Sequence, residues 1–189
     1  MRAEHLAHVL RAAAEITAQR DFVVIGSQAI LGSHPDLRDG VLVRSIEVDL
    51  YPRDVPALGD MLAEIGEFSD FHSENGYYAD AVDRDTAVVP AGWESRTVAF
   101  DAGDGVTGHC LEPHDLIIAK LIATRDKDIA YFEAAAMRGL VDTGLLNARL
   151  RAPQISSRAK TEADREPTAA SVAAGSAWCR GPVREVRSC

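Results

Sequence analysis

The stretch SIEVDLYP, Ser45 to Pro52, reads as a strand that carries two acids. Ile46, Val48 and Leu50 alternate with Glu47 and Asp49, and alternate side chains of a strand share a face. Glu47 and Asp49 therefore stand on one face, about 7 Å apart at Cα for a rise of roughly 3.3 Å per residue. Two carboxylates at that distance can lean toward one hard cation such as Mg²⁺, which prefers carboxylate, phosphate oxygen and water. An isolated acid-x-acid strand is more often a solvated sheet face, so the neighbouring sequence has to decide.

Upstream lies DFVVIGSQAILGS. Phe22 to Ile25 is a short β-branched apolar run, the pattern of a buried strand. It ends at Gly26-Ser27, where Gly allows a close backbone approach and a following helix start favours an anion. QAIL can open a short helix, with Ser27 as its cap. HPDLRDG is a loop by composition, and VLVRSIEVDLYP is expected to be strand throughout.

Further out, Leu6, Val9, Leu10, Ala13 and Ile16 have helical spacing, so the N-terminus reads as an amphipathic helix. DVPALGDMLAEIG reads as a second helix, with Val55, Leu58, Leu62 and Ile65 on one face and Asp54 as cap. FSDFHSENG is polar and turn-like. GYYADAV and ESRTVAF read as strands separated by DRDTAVVPAGW. EPHDLIIAKLIATRDKDIAYFEAAAMRGLVD holds two helices, one from near Pro113 and one from around Arg125 to Asp128.

These residues together resemble the polymerase-beta-like nucleotidyltransferase superfamily. Its pattern is a hydrophobic-Gly-[Gly/Ser] turn, an acid-x-acid strand and a third carboxylate on a later strand. Here that is VIGS (Val24 to Ser27), EVD (Glu47 to Asp49) and a later Asp. LEPHDLIIAKLIATRDKD is similar to the helical segment of minimal nucleotidyltransferases related to abortive-infection and toxin–antitoxin enzymes. More narrowly, GSQAI, VDLYP, GYYAD and EPHDL are similar to a bacterial nucleotidyltransferase-like family of unknown function. The resemblance covers roughly Asp21 to Val141.

The resemblance implies an α+β fold, with a small mixed sheet flanked by helices and further helices at the C-terminal end. It implies Mg²⁺ (or Mn²⁺) held by Glu47, Asp49 and a third acid. Asp80 is the first choice for that acid, with Asp83 and Asp101 as alternatives. Gly26, Ser27, Lys120, Arg125, Lys127 and Asp128 would bind the nucleotide. The reaction implied moves an NMP from an NTP to an acceptor hydroxyl on a small molecule, a tRNA or a protein. An antitoxin partner or a homodimer is consistent with the resembled enzymes. Two departures stand out: the first acid is Glu47, where the pattern has Asp, and no third carboxylate is obvious. They motivate a rival, a catalytically inactive member that binds nucleotide or a partner. A metal-dependent nuclease using the same acids is a third reading.

Plainer roles compete for several of these residues. Lys120 lies in the apolar run DLIIAKLIA and can snorkel to solvent. Arg125, Lys127 and Asp128 can form a solvated helix junction with Asp128 as cap. Arg44 and Arg53 flank the acidic strand and either neutralise it or touch phosphate. Tyr77 and Tyr78 suit strand packing, or a ring that stacks on a base. Trp93 suits a loop anchor, and His72, His109 and His114 suit surface or helix-start roles. Cys110 suits a small buried residue.

Bulk properties narrow the choice. The 189 residues suffice for one domain with a sizeable core, and the composition, 47% apolar and 26% charged, is ordinary for a globular chain. A net charge of −9 invites neither nucleic acid nor anionic membrane. No run approaches the roughly 18 apolar residues of a membrane span. MRAEHLAHVLRAAAEI has Glu4 and no cleavage pattern, so it does not read as a secretory signal. Three scattered cysteines lack metal-ligand spacing and suit a reduced, cytoplasmic setting. No P-loop, Ser-His-Asp triad or internal repeat is present.

After Ala152 there is no Leu or Phe and one Ile, and bases outnumber acids. The expected organisation is therefore a nucleotidyltransferase-like domain over 1–151 and a disordered or atypical tail over 152–189, which cannot bury enough apolar area to offset its ordering entropy.

Overall fold

The computed structural model describes residues 1–151 and 153–155. The chain opens with α1 (Ala3–Thr17), whose Leu6, Val9, Leu10 and Ala13 are fully buried, as their helical spacing predicts. It continues into β1 (Asp21–Val24), a 3-10 turn (Ser27–Ala29) and the short helix α2 (Ile30–Ser33). The acidic stretch forms β2 (Glu47–Pro52). A 3-10 helix (Pro56–Ile65), α3 (Asp70–Asn75), β3 (Tyr78–Ala81) and the two-residue β4 (Val89–Pro90) follow. Next come β5 (Val98–Gly103), β6 (Val106–Cys110), α4 (Pro113–Ala123), α5 (Asp126–Met137), α6 (Thr143–Leu150) and β7 (Gln154–Ile155).

The five-stranded sheet runs β3-β2-β1-β6-β5. It is mixed: β2 pairs antiparallel to β1, while β1–β6 and β2–β3 are parallel. The expected α+β fold, a mixed sheet with flanking and C-terminal helices, is the observed one. One sheet face carries Phe22, Val24, Val48 and Leu50, all fully buried. α1 packs close on this side. At Gly108 a Cβ would lie 2.8 Å from Leu10 Cδ1, so glycine lets the helix approach the sheet. The opposite face carries Val23, Ile25, Glu47, Asp49, Tyr51 and Asp80, which include the three candidate acids.

Several local expectations are corrected. Val41–Val43 forms a 3-10 turn and not strand, because Gly40 at φ 86 turns the chain just before it. The 56–65 segment is 3-10 and not α. It buries Gly59, Leu62 and Ile65, a spacing of three, and leaves Val55 exposed. Its N-cap position is Val55, and Asp54 does not cap it. FSDFHSENG contains α3, capped by the Ser69 hydroxyl accepting from the His72 amide and closed by Gly76 at φ 73. β6 and α6 were not anticipated. Gly108 interrupts the apolar alternation of β6, and α6 is only eight residues long. Of the expected tail, Gln154–Ile155 pairs with β4. Residues 156–189 lie outside the described residues. Among those described, no helix is long and apolar enough to cross a membrane.

The N-terminal end of α4 is locked by charge. Asp115, fully buried, accepts from Arg96 Nε at 2.8 Å and Arg149 Nη1 at 3.0 Å, tying the 93–96 turn and α6 to α4. Removing one partner of a buried ion cluster strands the others. Asp115→Ala should therefore cost about 3 kcal/mol of unfolding free energy. Urea melts check this: the midpoint falls while the slope stays unchanged.

Candidate active site

The site is assembled by strand register. In the parallel β2–β3 pair, Glu47 lies opposite Tyr78 and Asp49 opposite Asp80. In the antiparallel β1–β2 pair, the Ile25 amide donates to the Asp49 carbonyl at 3.1 Å. Gly26 thus lands against the Asp49 side chain, where a Cβ would fall 1.5 Å from Asp49 Oδ2. Gly26 has an ordinary negative φ of −83, so it is close approach and not left-handed backbone that requires glycine here.

Three acids therefore neighbour one another on the sheet face. Burial, then the charges of Glu47 and Asp80, push the Asp49 carboxyl up to about 6. Asp80 is raised as well, by burial and then by Glu47 and Glu67. Among the described residues, no three Asp, Glu, His or Cys side chains already converge into a metal-binding group. The acids are adjacent by register without closing on one point. Of the alternatives for the third acid, Asp101 sits on β5 at the far sheet edge, its carboxylate accepting from the Gly103 amide. Asp83 is exposed beyond the end of β3.

Tyr78 was read as packing or stacking, but its hydroxyl donates to Glu47 Oε2 at 3.3 Å. The longer arm of Glu47 is held by this phenol. The sequence carried no signal for the pairing, which depends on β2–β3 register.

A second cluster stands beside the acids. Lys120 is buried, so it does not snorkel. Its ammonium donates to the Ser27 hydroxyl at 3.0 Å and to Asp128 Oδ1 at 3.3 Å, and sits 4.3 Å from the centre of the Tyr131 ring. Tyr131 in turn donates to the Ser27 carbonyl at 2.7 Å. Ser27 does not cap the following turn; its hydroxyl is spent on Lys120. Asp128 is not a cap either. Arg125 occupies the N-cap position of α5, and its Nε donates to Asp128 Oδ2 at 2.6 Å. Burial opposes charge on Asp128, but the hydrogen bond from Arg125 and the charge of Lys120 prevail and hold its carboxyl below the usual range. Burial lowers Lys120 against the pull of Asp128.

Two cavities flank Lys120. One of about 240 Å³ is lined by Ser27, Arg44, Glu47, Lys120, Lys127 and Asp128. The other, about 310 Å³, has Gly26, Asp49, Lys120 and Arg125 among its lining residues. Arg44, left undecided by sequence, lines the cationic cavity. Arg53 lies elsewhere, its Nη1 against the His109 ring. His109 bonds Asp21 at 2.7 Å and His114 bonds Glu112, neither in a metal-ligand group. Trp93 is buried at the start of a 3-10 turn, and Cys110 is fully buried.

Comparison with known families fits this arrangement. The model of a family described as nucleotidyltransferase of unknown function (DUF6036) matches residues 4–171. The chain belongs to this family. Neither the curated proteins nor the solved structures gave a match. A nucleotidyltransferase takes an NTP as substrate, and nucleotidyl transfer is the general function the family supports. The family match runs past the boundary expected at 151.

The acid cluster of this nucleotidyltransferase carries a stability signature. Asp49 has a folded-state pKa above its unfolded value, so ionisation favours the unfolded chain once the pH exceeds about 4, fully above about 6. Asp49→Asn should stabilise the protein by about 3 kcal/mol at pH 7.5. Thermal melts across pH check it, because the gain should vanish by pH 4.

Proposed function

We propose that the protein transfers an NMP from an NTP to an acceptor hydroxyl, with Mg²⁺ (or Mn²⁺) bound by Glu47, Asp49 and Asp80. The observation that carries this reading is the row of three carboxylates set by register beside a cation-lined cavity. The donor set fits a hard divalent cation: all oxygen and anionic, with Asp49 raised by burial and then by the charges of Glu47 and Asp80. When bound, the cation would screen phosphate charge and favour attack at the α-phosphorus.

The chain's own residues supply the rest. Gly26 leaves room for the Asp49 carboxylate, and Tyr78 orients Glu47. Arg44 and Lys127 line the cavity that suits the triphosphate. Lys120, engaged by Ser27 and Asp128, holds the Gly26-Ser27 turn on the helices and adds positive charge behind it. Arg125 and Asp128 keep that lysine in place.

Calorimetry of NTP binding with and without Mg²⁺ tests the reading. Wild type should bind in a Mg²⁺-dependent way, and Glu47→Gln/Asp49→Asn should weaken binding at least tenfold while folding normally. Mg²⁺-independent or absent binding in wild type would leave an inactive or partner-binding member. Tyr78→Phe should raise the Mg²⁺ concentration needed for half-maximal transfer several-fold, with the rate recovering at saturating Mg²⁺. An unchanged Mg²⁺ requirement would remove Tyr78 from the site.

A further inference from the structure

We infer that the cavity beside Asp49 receives the acceptor, and that the acceptor is a small hydroxyl compound with an apolar face, not a nucleic acid. This rests on the nucleotidyl-transfer reading above and adds the acceptor's place and class to it.

Geometry assigns the place. In-line displacement puts the attacking oxygen and the departing pyrophosphate on opposite sides of the α-phosphorus. The cationic cavity touches the acid row at Glu47, and the other cavity touches it at Asp49. Glu47 and Asp49 are successive residues of one face of β2, so the two cavities meet the acid row at points about 7 Å apart along the strand. With the triphosphate among Arg44, Lys120 and Lys127, the acceptor enters from the Asp49 side.

Wall chemistry assigns the class. Ile25, Val88, Leu116, Ala119 and Ile122 form the body of this cavity. Asp49, Lys120 and Arg125 are its charged lining residues, and a hydroxyl beside Asp49 would meet the phosphate. Its volume, about 310 Å³, is at the small-molecule end of binding sites. Among the described residues no aromatic side chain lines it, whereas single-stranded nucleic acid is held by aromatic platforms in a basic groove. The chain's net charge of −9 also opposes a long phosphate footprint.

In the transfer, the acceptor oxygen bonds to the α-phosphorus as the bond from that phosphorus to the bridging oxygen of the β-phosphate breaks. Pyrophosphate departs through the cationic cavity. The hydroxyl proton is released to solvent.

The test uses 2-naphthol as probe, titrated by its fluorescence with and without Mg²⁺-NTP, on wild type, Ala119→Phe and Ala123→Phe. Both alanines line the cavity on α4, and Ala123 is exposed, so its substitution leaves the core intact. Wild type should bind the probe, and each phenylalanine should weaken it at least tenfold while changing NTP affinity less than twofold by calorimetry. Equal probe binding in both variants, or none in wild type, overturns the inference. Parallel loss of NTP binding also overturns it, because the nucleoside would then occupy the cavity. So does transfer of labelled nucleotide to a short RNA hairpin that survives both substitutions. Failure of wild type to bind any NTP sinks the nucleotidyl-transfer reading instead, and the nucleotide-free titration still reads the cavity.

Discussion

Asp49 is pressed against the backbone of Gly26, and the rest of the site depends on that contact. Antiparallel pairing of β1 with β2 brings the end of one strand beside the acid of the other. Any side chain at residue 26 would occupy the space of the Asp49 carboxylate. The same turn then sends Ser27 toward α4, where Lys120 takes its hydroxyl. A single close approach thus joins the acid row to the cationic cluster. The Gly-Ser dipeptide serves both, Gly by lacking a side chain and Ser by supplying an acceptor for the lysine.

The two charge clusters stand in different electrostatic balance. Lys120, Arg125 and Asp128 satisfy one another, and a buried carboxylate with two cationic donors is held ionised. Glu47, Asp49 and Asp80 have a phenol from Tyr78 and the distant charge of Lys120, and Asp49 responds by binding its proton more tightly. Burial of Asp49 together with the neighbouring charges costs stability in the free protein; under the proposed function that cost would return on binding a cation.

The legible parts of the sequence were those with strong period or strong punctuation. α1, β1 and β2 follow from apolar spacing, and α4 begins at Pro113 as its position predicts. Each depends mainly on local chemistry. The 56–65 segment misled because an apolar residue every third or fourth position fits both helix types over one or two turns. Only the burial of Gly59, Leu62 and Ile65 separates them. β6 was hidden by Gly108, whose role is to admit Leu10 from a helix nearly a hundred positions earlier. For the site, the Gly-Ser turn and the two acids of β2 were readable, because both lie within one local motif. The Tyr78–Glu47 bond, the partners of Lys120 and the role of Arg44 were not, because each depends on pairing between distant segments.

The placement of α4 follows from its two ends. At the first turn, Glu112 caps the helix through the amides of His114 and Asp115, and both acids meet Arg149 of α6. At the last turn, Lys120 meets Asp128 of α5 and Ser27 of the turn after β1. Acids at the start and a base near the end also suit the helix dipole. A helix clamped at both ends cannot slide or tilt without breaking a buried ion pair. Both cavities use α4 as a wall, through Lys120 in one and Leu116, Ala119 and Lys120 in the other. Their separation is therefore fixed by the ion pairs and not by contact between ligands. If the two reactants bind as proposed, they meet at a wall already in place, and the binding energy of each is free to orient it at the acids.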